Sequence, residues 1–261
     1  MSTPIKGILL DLDGVFYMDN QLIHGAQSSI RYLRENKIPY RFVTNNSQLP
    51  RKGIAKKLQT LGLEIYPDEI LSANYLGVLY LQKKTYKNVR LILQPSGLED
   101  YESIPQTVIE PDHILIGDIG ETWTFALINE LMQQILAGAG IIALHKGRYF
   151  ATQNGLQIDA GAFVAGLEYV THTKAVVLGK PEEDFFRLAL EEIGCGPEET
   201  LMVGDDLYND IWGAQNVGIQ AALVRTGKYR ADWEKHPEIR PDHVLPSIAA
   251  LPMFLDLNFS S

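Results

Sequence analysis

Apolar residues fall along this chain in two recurring forms, short unbroken runs and longer stretches that repeat at helical spacing. The run Ile5 to Leu10 ends abruptly in acids, which reads as a buried strand whose carboxyl end carries polar groups. Ala26 to Asn36 has helical periodicity, Tyr40 to Val43 is a second short run, and Arg51 to Leu61 is a further helix closed by Gly62. The same alternation resumes in the last third of the chain. Strands are predicted at Ala175 to Leu178, Thr200 to Val203 and Gln220 to Val224, and helices at Glu182 to Glu192, Leu207 to Asn216 and Ile248 to Leu257. Strands and helices in this order build an α/β fold, a doubly wound, Rossmann-like parallel sheet.

From about Tyr75 to Thr173 a second set of elements intervenes: Val89 to Leu93, His113 to Ile116, Thr122 to Leu136 and Ile141 to His145. The expected organisation is therefore a core made of residues 1–74 and 174–261, with an inserted α/β domain over 75–173. The apolar positions of Thr122 to Leu136 and Phe185 to Leu190 are read as faces turned to a core.

Composition narrows the function classes. Apolar residues make up 46% and charged residues 21%, values of a folded globular protein. The N-terminal MSTPIKGILLDLDG resembles neither a signal peptide nor a spanning helix, so no membrane partner is expected. Cys195 is the only cysteine, which excludes an intramolecular disulfide and a cysteine-rich metal site and fits a reducing cytoplasm. His24, His113, His172, His236 and His243 share no metal-ligand spacing, and Gly138-Ala139-Gly140 lacks the third glycine of a dinucleotide fingerprint. A net charge of −9 argues against a nucleic-acid partner. Small anionic substrates stay open where a local cation offsets the field.

Candidate chemistry gathers at the strand ends. In Asp11-Leu12-Asp13-Gly14, the alternation of an extended chain puts both carboxylates on one side and Leu12 on the other. Thr44-Asn45-Asn46, Gly179-Lys180-Pro181 and Gly204-Asp205-Asp206, the last just before Asp210, sit where an open α/β sheet presents residues to a ligand crevice. Singly, each is an ordinary cap, turn or solvated charge. Their common position and their order mark one site.

The segments DLDGVFY, TNN, GKP and GDDLYND resemble the motifs of the haloacid dehalogenase superfamily of phosphatases, in order and across the chain. The insert is similar to the C2-type cap of the NagD-like subfamily. Its HKGRYF and GLEYVTHTKAVVLGKP resemble the group of phospholysine phosphohistidine inorganic pyrophosphate phosphatases and their hydrolase-domain-containing relatives. The resemblance implies a magnesium-dependent phosphohydrolase for a small phosphorylated substrate, with a homodimer as an assembly that similar proteins adopt. It implies Asp11 as nucleophile and Asp13 as general acid and base. Mg²⁺ would be held by Asp11, Asp205 and the backbone carbonyl of Asp13, and phosphate by Thr44, the Asn45 amide and Lys180. Asp206 and Asp210 would orient Lys180 or a water on the metal. A carboxylate attacking a phosphate dianion meets like-charge repulsion, which a hard cation and an ammonium relieve. In the insert, His145, Arg148 and Asn154 lie in a polar stretch suited to reading the leaving group. A phosphomutase and a non-catalytic phosphate-binding module are the open alternatives, and inorganic phosphate release separates them.

Overall fold

The computed structural model describes residues 4–84, 86–152 and 155–258. Along the chain the elements are β1 (Gly7–Leu10), the short hairpin β2 (Tyr17–Met18) and β3 (Gln21–Leu22), α1 (Ala26–Glu35), β4 (Tyr40–Thr44), α2 (Arg51–Thr60), β5 (Ile70–Ser72) and α3 (Ala73–Lys84). There follow β6 (Val89–Ile92), β7 (His113–Ile116), α4 (Phe125–Leu136), β8 (Gly140–Ala143), β9 (Tyr149–Thr152), β10 (Gly155–Ile158), α5 (Ala160–Thr171) and β11 (Val176–Val177). The last are α6 (Glu183–Ile193), β12 (Thr200–Gly204), α7 (Gly213–Asn216), β13 (Gln220–Val224), β14 (His243–Leu245) and α8 (Leu251–Asn258). They form two compact units. The first comprises Met1–Thr44, Ala55–Leu71 and Lys180–Ser261, the second Asn45–Ile54 and Ser72–Gly179.

The first unit is the predicted doubly wound sheet, in the order β14-β13-β12-β1-β4-β5. β1 pairs in parallel with both β12 and β4, and β12–β13 and β13–β14 are parallel too. All residues of β1 and β12 are buried, as strands covered on both faces require. The chain leaves β1 towards β4 on one side, while β12 flanks it on the other, so β1 stands at the point where such sheets place their ligands. Fully buried Phe16 and Phe42 meet edge to face at 5.3 Å, next to a core that also holds Phe185 and Phe186. In α1, buried Ala26, Ile30 and Leu33 share one face at helical spacing.

The second unit has its own parallel sheet, β11-β8-β7-β6, and the antiparallel hairpin β9–β10. Ile114, Ile116, Leu131, Ile135, Val164 and Leu167 share its core, and Trp123 stacks on Phe163 at 4.4 Å. α4 starts at Phe125 because the Thr124 hydroxyl accepts the Leu127 N–H at 3.1 Å. The predicted strand Ala175 to Leu178 is shortened to β11, and its partner is β8. Leu207 to Asn216 is divided: Asp206 caps a π-helical turn over Leu207–Trp212, where Ile211 N–H reaches the Asp206 carbonyl, and α7 follows. α3 and α5 escape the periodicity test. In α3 the buried set includes polar Asn74 beside Leu76, Gly77, Val78 and Leu81, which blurs any stripe. Among the described residues, no helix is long and apolar enough to cross a membrane.

Candidate active site

Because β4, β1, β12 and β13 run parallel, their carboxyl ends lie along one edge of the first unit, and each end carries polar residues. Asp11 continues the ladder of β1, its N–H donating to the Val203 carbonyl at 2.9 Å, while Leu12 turns into the core. The Lys180 ammonium, 3% exposed, donates to Asp11 Oδ1 and Asp210 Oδ1 at 2.6 Å each and to the Val43 carbonyl at 3.2 Å. Thr44 closes β4 as a buried residue. Two positions in this edge need glycine. A Cβ on Gly14, at φ +79°, would stand 2.0 Å from Asp205 Oδ2, and one on Gly227, at φ +61°, 1.9 Å from the same oxygen.

Asp205 Oδ2 accepts the Lys228 main-chain N–H at 2.7 Å. Its Oδ1 is buried and, among the described residues, has no hydrogen-bond partner. Asp11, Asp205 and Asp210 each offer a carboxylate oxygen within 4.8 Å of the others. Asp206 is engaged elsewhere: it caps the turn through the Tyr208 and Asn209 N–H groups and pairs with Lys228 Nζ at 3.1 Å. Of the two acids expected to orient Lys180, Asp210 touches it and Asp206 holds Lys228. The Asp206 N–H donates to Asp210 Oδ2 at 3.1 Å, which ties the two together.

The electrostatics follow from crowding. Burial pushes the Asp11 and Asp205 carboxyls up from their ordinary range, and Asp210 goes up to about 7, burial first and the Asp11 charge second. Lys180 pulls Asp11 and Asp210 the other way without cancelling that rise. Burial would lower Lys180, but Asp11 and Asp210 outweigh it and keep the ammonium charged. For Asp206, burial is outweighed by Lys228 and the capping N–H groups, which hold it below the usual range. Asp206 and Lys228 are thus paired, and the Lys228 charge also reaches Asp205, Asp11 and Asp210. Three crowded carboxyls share the single ammonium of Lys180, and their raised values show that they cannot all be charged without further positive charge. An orphaned carboxylate oxygen, hard oxygen donors and an unmet demand for positive charge fit Mg²⁺.

Asp13 is exposed, and its charge acts on Asp11. The protein packed around it nonetheless raises it, against the pull of Lys57 and Lys228. In the second unit, His145 is buried: its Nδ1 accepts the Gly147 N–H at 3.3 Å, and its Nε2 lies 3.2 Å from Ser47 Oγ. Arg148 is exposed, and Asn154 lies outside the described residues. Asn45 opens this unit, its side-chain oxygen against Gly179. The sequence analysis missed Thr226, Gly227 and Lys228. Their signal is the same as at the other ends, an apolar strand followed at once by small and charged residues, here Arg-Thr-Gly-Lys.

The haloacid dehalogenase-like hydrolase family matches residues 8–104, and a second family description, HAD-hydrolase-like, matches residues 177–251. Haloacid dehalogenase-like hydrolase domain-containing protein 2 of Homo sapiens is 37% identical over 231 residues, covering 88% of each chain. The chain belongs to the haloacid dehalogenase-like hydrolases. Phospholysine phosphohistidine inorganic pyrophosphate phosphatase of Xenopus laevis, another relative, is 37% identical over 252 residues, 94% of this chain and 92% of its own. Among solved structures, 4-nitrophenylphosphatase from Thermotoga maritima superposes with a TM-score of 0.88 at 27% identity, covering 95% of this chain and 97% of that one. NagD from E. coli K-12, at 23% identity and a TM-score of 0.86 over 95% and 98%, shares the fold. Within the haloacid dehalogenase-like hydrolases, then, the chain is a phosphatase.

Proposed function

We propose that this phosphatase hydrolyses a small phosphorylated compound, a phosphomonoester, phosphoramidate or pyrophosphate, with Mg²⁺ as cofactor and a phosphoryl group carried transiently on Asp11. The observation that carries this reading is the buried triangle of Asp11, Asp205 and Asp210 with Lys180 seated on two of them and one oxygen of Asp205 left unpartnered. Mg²⁺ held by Asp11 and Asp205, with the Asp13 carbonyl in the family's pattern, would neutralise charge on the phosphoryl oxygens. Asp210 fixes Lys180, and Lys180 engages Asp11 Oδ1, which leaves the second oxygen of Asp11 to attack phosphorus. That attack forms the phosphorus–oxygen bond to Asp11 as the bond to the leaving group breaks. Asp13, raised by the surrounding protein, gives its proton to the departing atom. Water then attacks the phosphorus, Asp13 takes its proton, and Asp11 is regenerated as inorganic phosphate leaves. Thr44, the Asn45 amide and Lys180 are assigned to the phosphoryl oxygens.

Choice of leaving group is assigned to the second unit, with exposed Arg148 as its candidate contact and His145 as a buried support. The relative named for phospholysine, phosphohistidine and pyrophosphate supports phosphorus–nitrogen and anhydride substrates beside esters. The test is a panel of such compounds with wild-type protein and Asp11→Asn, with Mg²⁺ and with chelator. Wild type should release inorganic phosphate steadily in Mg²⁺, which a mutase retaining the group on Asp11 would not. The Asn variant should lose more than about 10³-fold. Activity retained within about tenfold, about 1.4 kcal/mol of barrier, would contradict Asp11 as nucleophile.

A further inference from the structure

We infer that Lys228 belongs to the phosphate site and acts through two atoms: its main-chain amide fixes Asp205, and its ammonium draws the phosphoryl anion in while opposing the cation beside it. The inference rests on the phosphohydrolase reading above and adds a residue to it.

Register places this residue. Leu223 of β13 pairs with Gly204 of β12, so the chain leaving β13 passes directly beside Asp205. The Thr226 hydroxyl then donates to the Gly14 carbonyl at 2.5 Å, and Gly227 packs so tightly that a Cβ there would lie 2.6 Å from the Gly14 Cα. The loop is thereby pinned to the Asp11–Gly14 segment through atoms other than the lysine side chain. The Lys228 N–H is delivered to Asp205 Oδ2 at 2.7 Å, which holds that carboxylate in place and leaves Oδ1 for a further ligand.

The side chain does something separate. Lys180 is 3% exposed and paired with two carboxylates, so a second, more accessible ammonium would share with it the charge of the phosphoryl group. Lys228 has a side chain 41% exposed, with Nζ 3.1 Å from Asp206 Oδ2, so an arriving dianion can reach it. Asp205, Asp206, Asp11 and Asp210 all act on this ammonium, and Asp13 feels it. A partly exposed positive charge acting on an acid cluster has opposite effects on its two ligands. It attracts phosphate and repels Mg²⁺.

Lys228→Met keeps the main-chain amide and removes the charge. Binding is measured on the full-length protein by titration calorimetry, Mg²⁺ to the chelator-treated protein and inorganic phosphate to the Mg²⁺-saturated one. The expected result is Mg²⁺ bound about threefold to tenfold more tightly and phosphate at least about fivefold more weakly, sizes that allow for solvent screening of a partly exposed group. Lys228→Arg should stay near wild type in both. Affinities that fall together in Lys228→Met, or both stay unchanged, would overturn the inference and reduce the side chain to a strut for Asp206. A wild type that binds no Mg²⁺ would instead overturn the phosphohydrolase reading on which it rests.

Discussion

Replacing Lys180 with methionine removes one ammonium and leaves Asp11 and Asp210, both buried, without the donor that each now has at 2.6 Å. Deleting one partner of a buried ion pair costs about 3–5 kcal/mol, a large part of the about 5–15 kcal/mol that holds a folded protein together. The loss has a ceiling, because a stranded carboxylate can take up a proton. At pH 7 that proton costs a group of ordinary pKa about 4 kcal/mol, and at pH 5 about 1.5 kcal/mol. The sign follows from Lys180 itself, which pulls the Asp11 and Asp210 carboxyls down, so that its removal raises their folded-state values further. A carboxyl raised by folding stabilises below its unfolded pKa and loses that contribution as pH climbs towards the folded one. The defect of Lys180→Met should therefore be about 3–5 kcal/mol at pH 7.5 and shrink to about 1–2 kcal/mol at pH 5. Urea unfolding in chelator, followed by tryptophan fluorescence from Trp212 and Trp233 of the first unit, measures both. A loss below about 1 kcal/mol at pH 7.5, or one that grows as the pH falls, would refute the assignment of Lys180 as the charge that the buried acids require.

Asp13→Asn should slow hydrolysis of an alkyl phosphate far more than that of a nitrophenyl phosphate, because only the alkoxide needs a proton to leave; equal slowing of the first step in rapid-quench measurements would remove Asp13 from acid catalysis. Metal-free wild type should lose stability as pH rises from about 4 towards the value of about 7 reached by Asp210, and saturating Mg²⁺ should flatten or reverse that slope in urea melts. Gly227→Ala should cost at least about 2 kcal/mol and weaken Mg²⁺ binding, since its methyl group meets Asp205 Oδ2 at 1.9 Å on a left-handed backbone. A variant as stable as wild type would mean that the loop gives way at no cost.

Sequence alone marked most of the acids and cations of this site, because each follows an apolar run that forms a strand or a turn locally. The hydrophobic run before Asp11, buried throughout as β1, carries its own signal, as do the strands before Thr44 and Asp205. Leu12 between two acids likewise announced its inward side chain. What the pattern could not assign was partnership. Asp206 and Asp210 are alike in a sequence, yet one caps a π-helical turn and holds Lys228 while the other holds Lys180. The run Ala175 to Leu178 is a strand in either reading, but only its pairing with β8 puts it in the second sheet. Lys228 went unremarked because Thr-Gly-Lys is an ordinary turn until β13 is laid against β12. Lys180 and Asp11 are 169 positions apart and Lys228 and Asp205 are 23 apart. Local propensity sets which residues end a strand. Which of those ends meet is decided by parallel pairing between distant segments, and a pairing energy spread over buried neighbours leaves no mark at any one position of the chain.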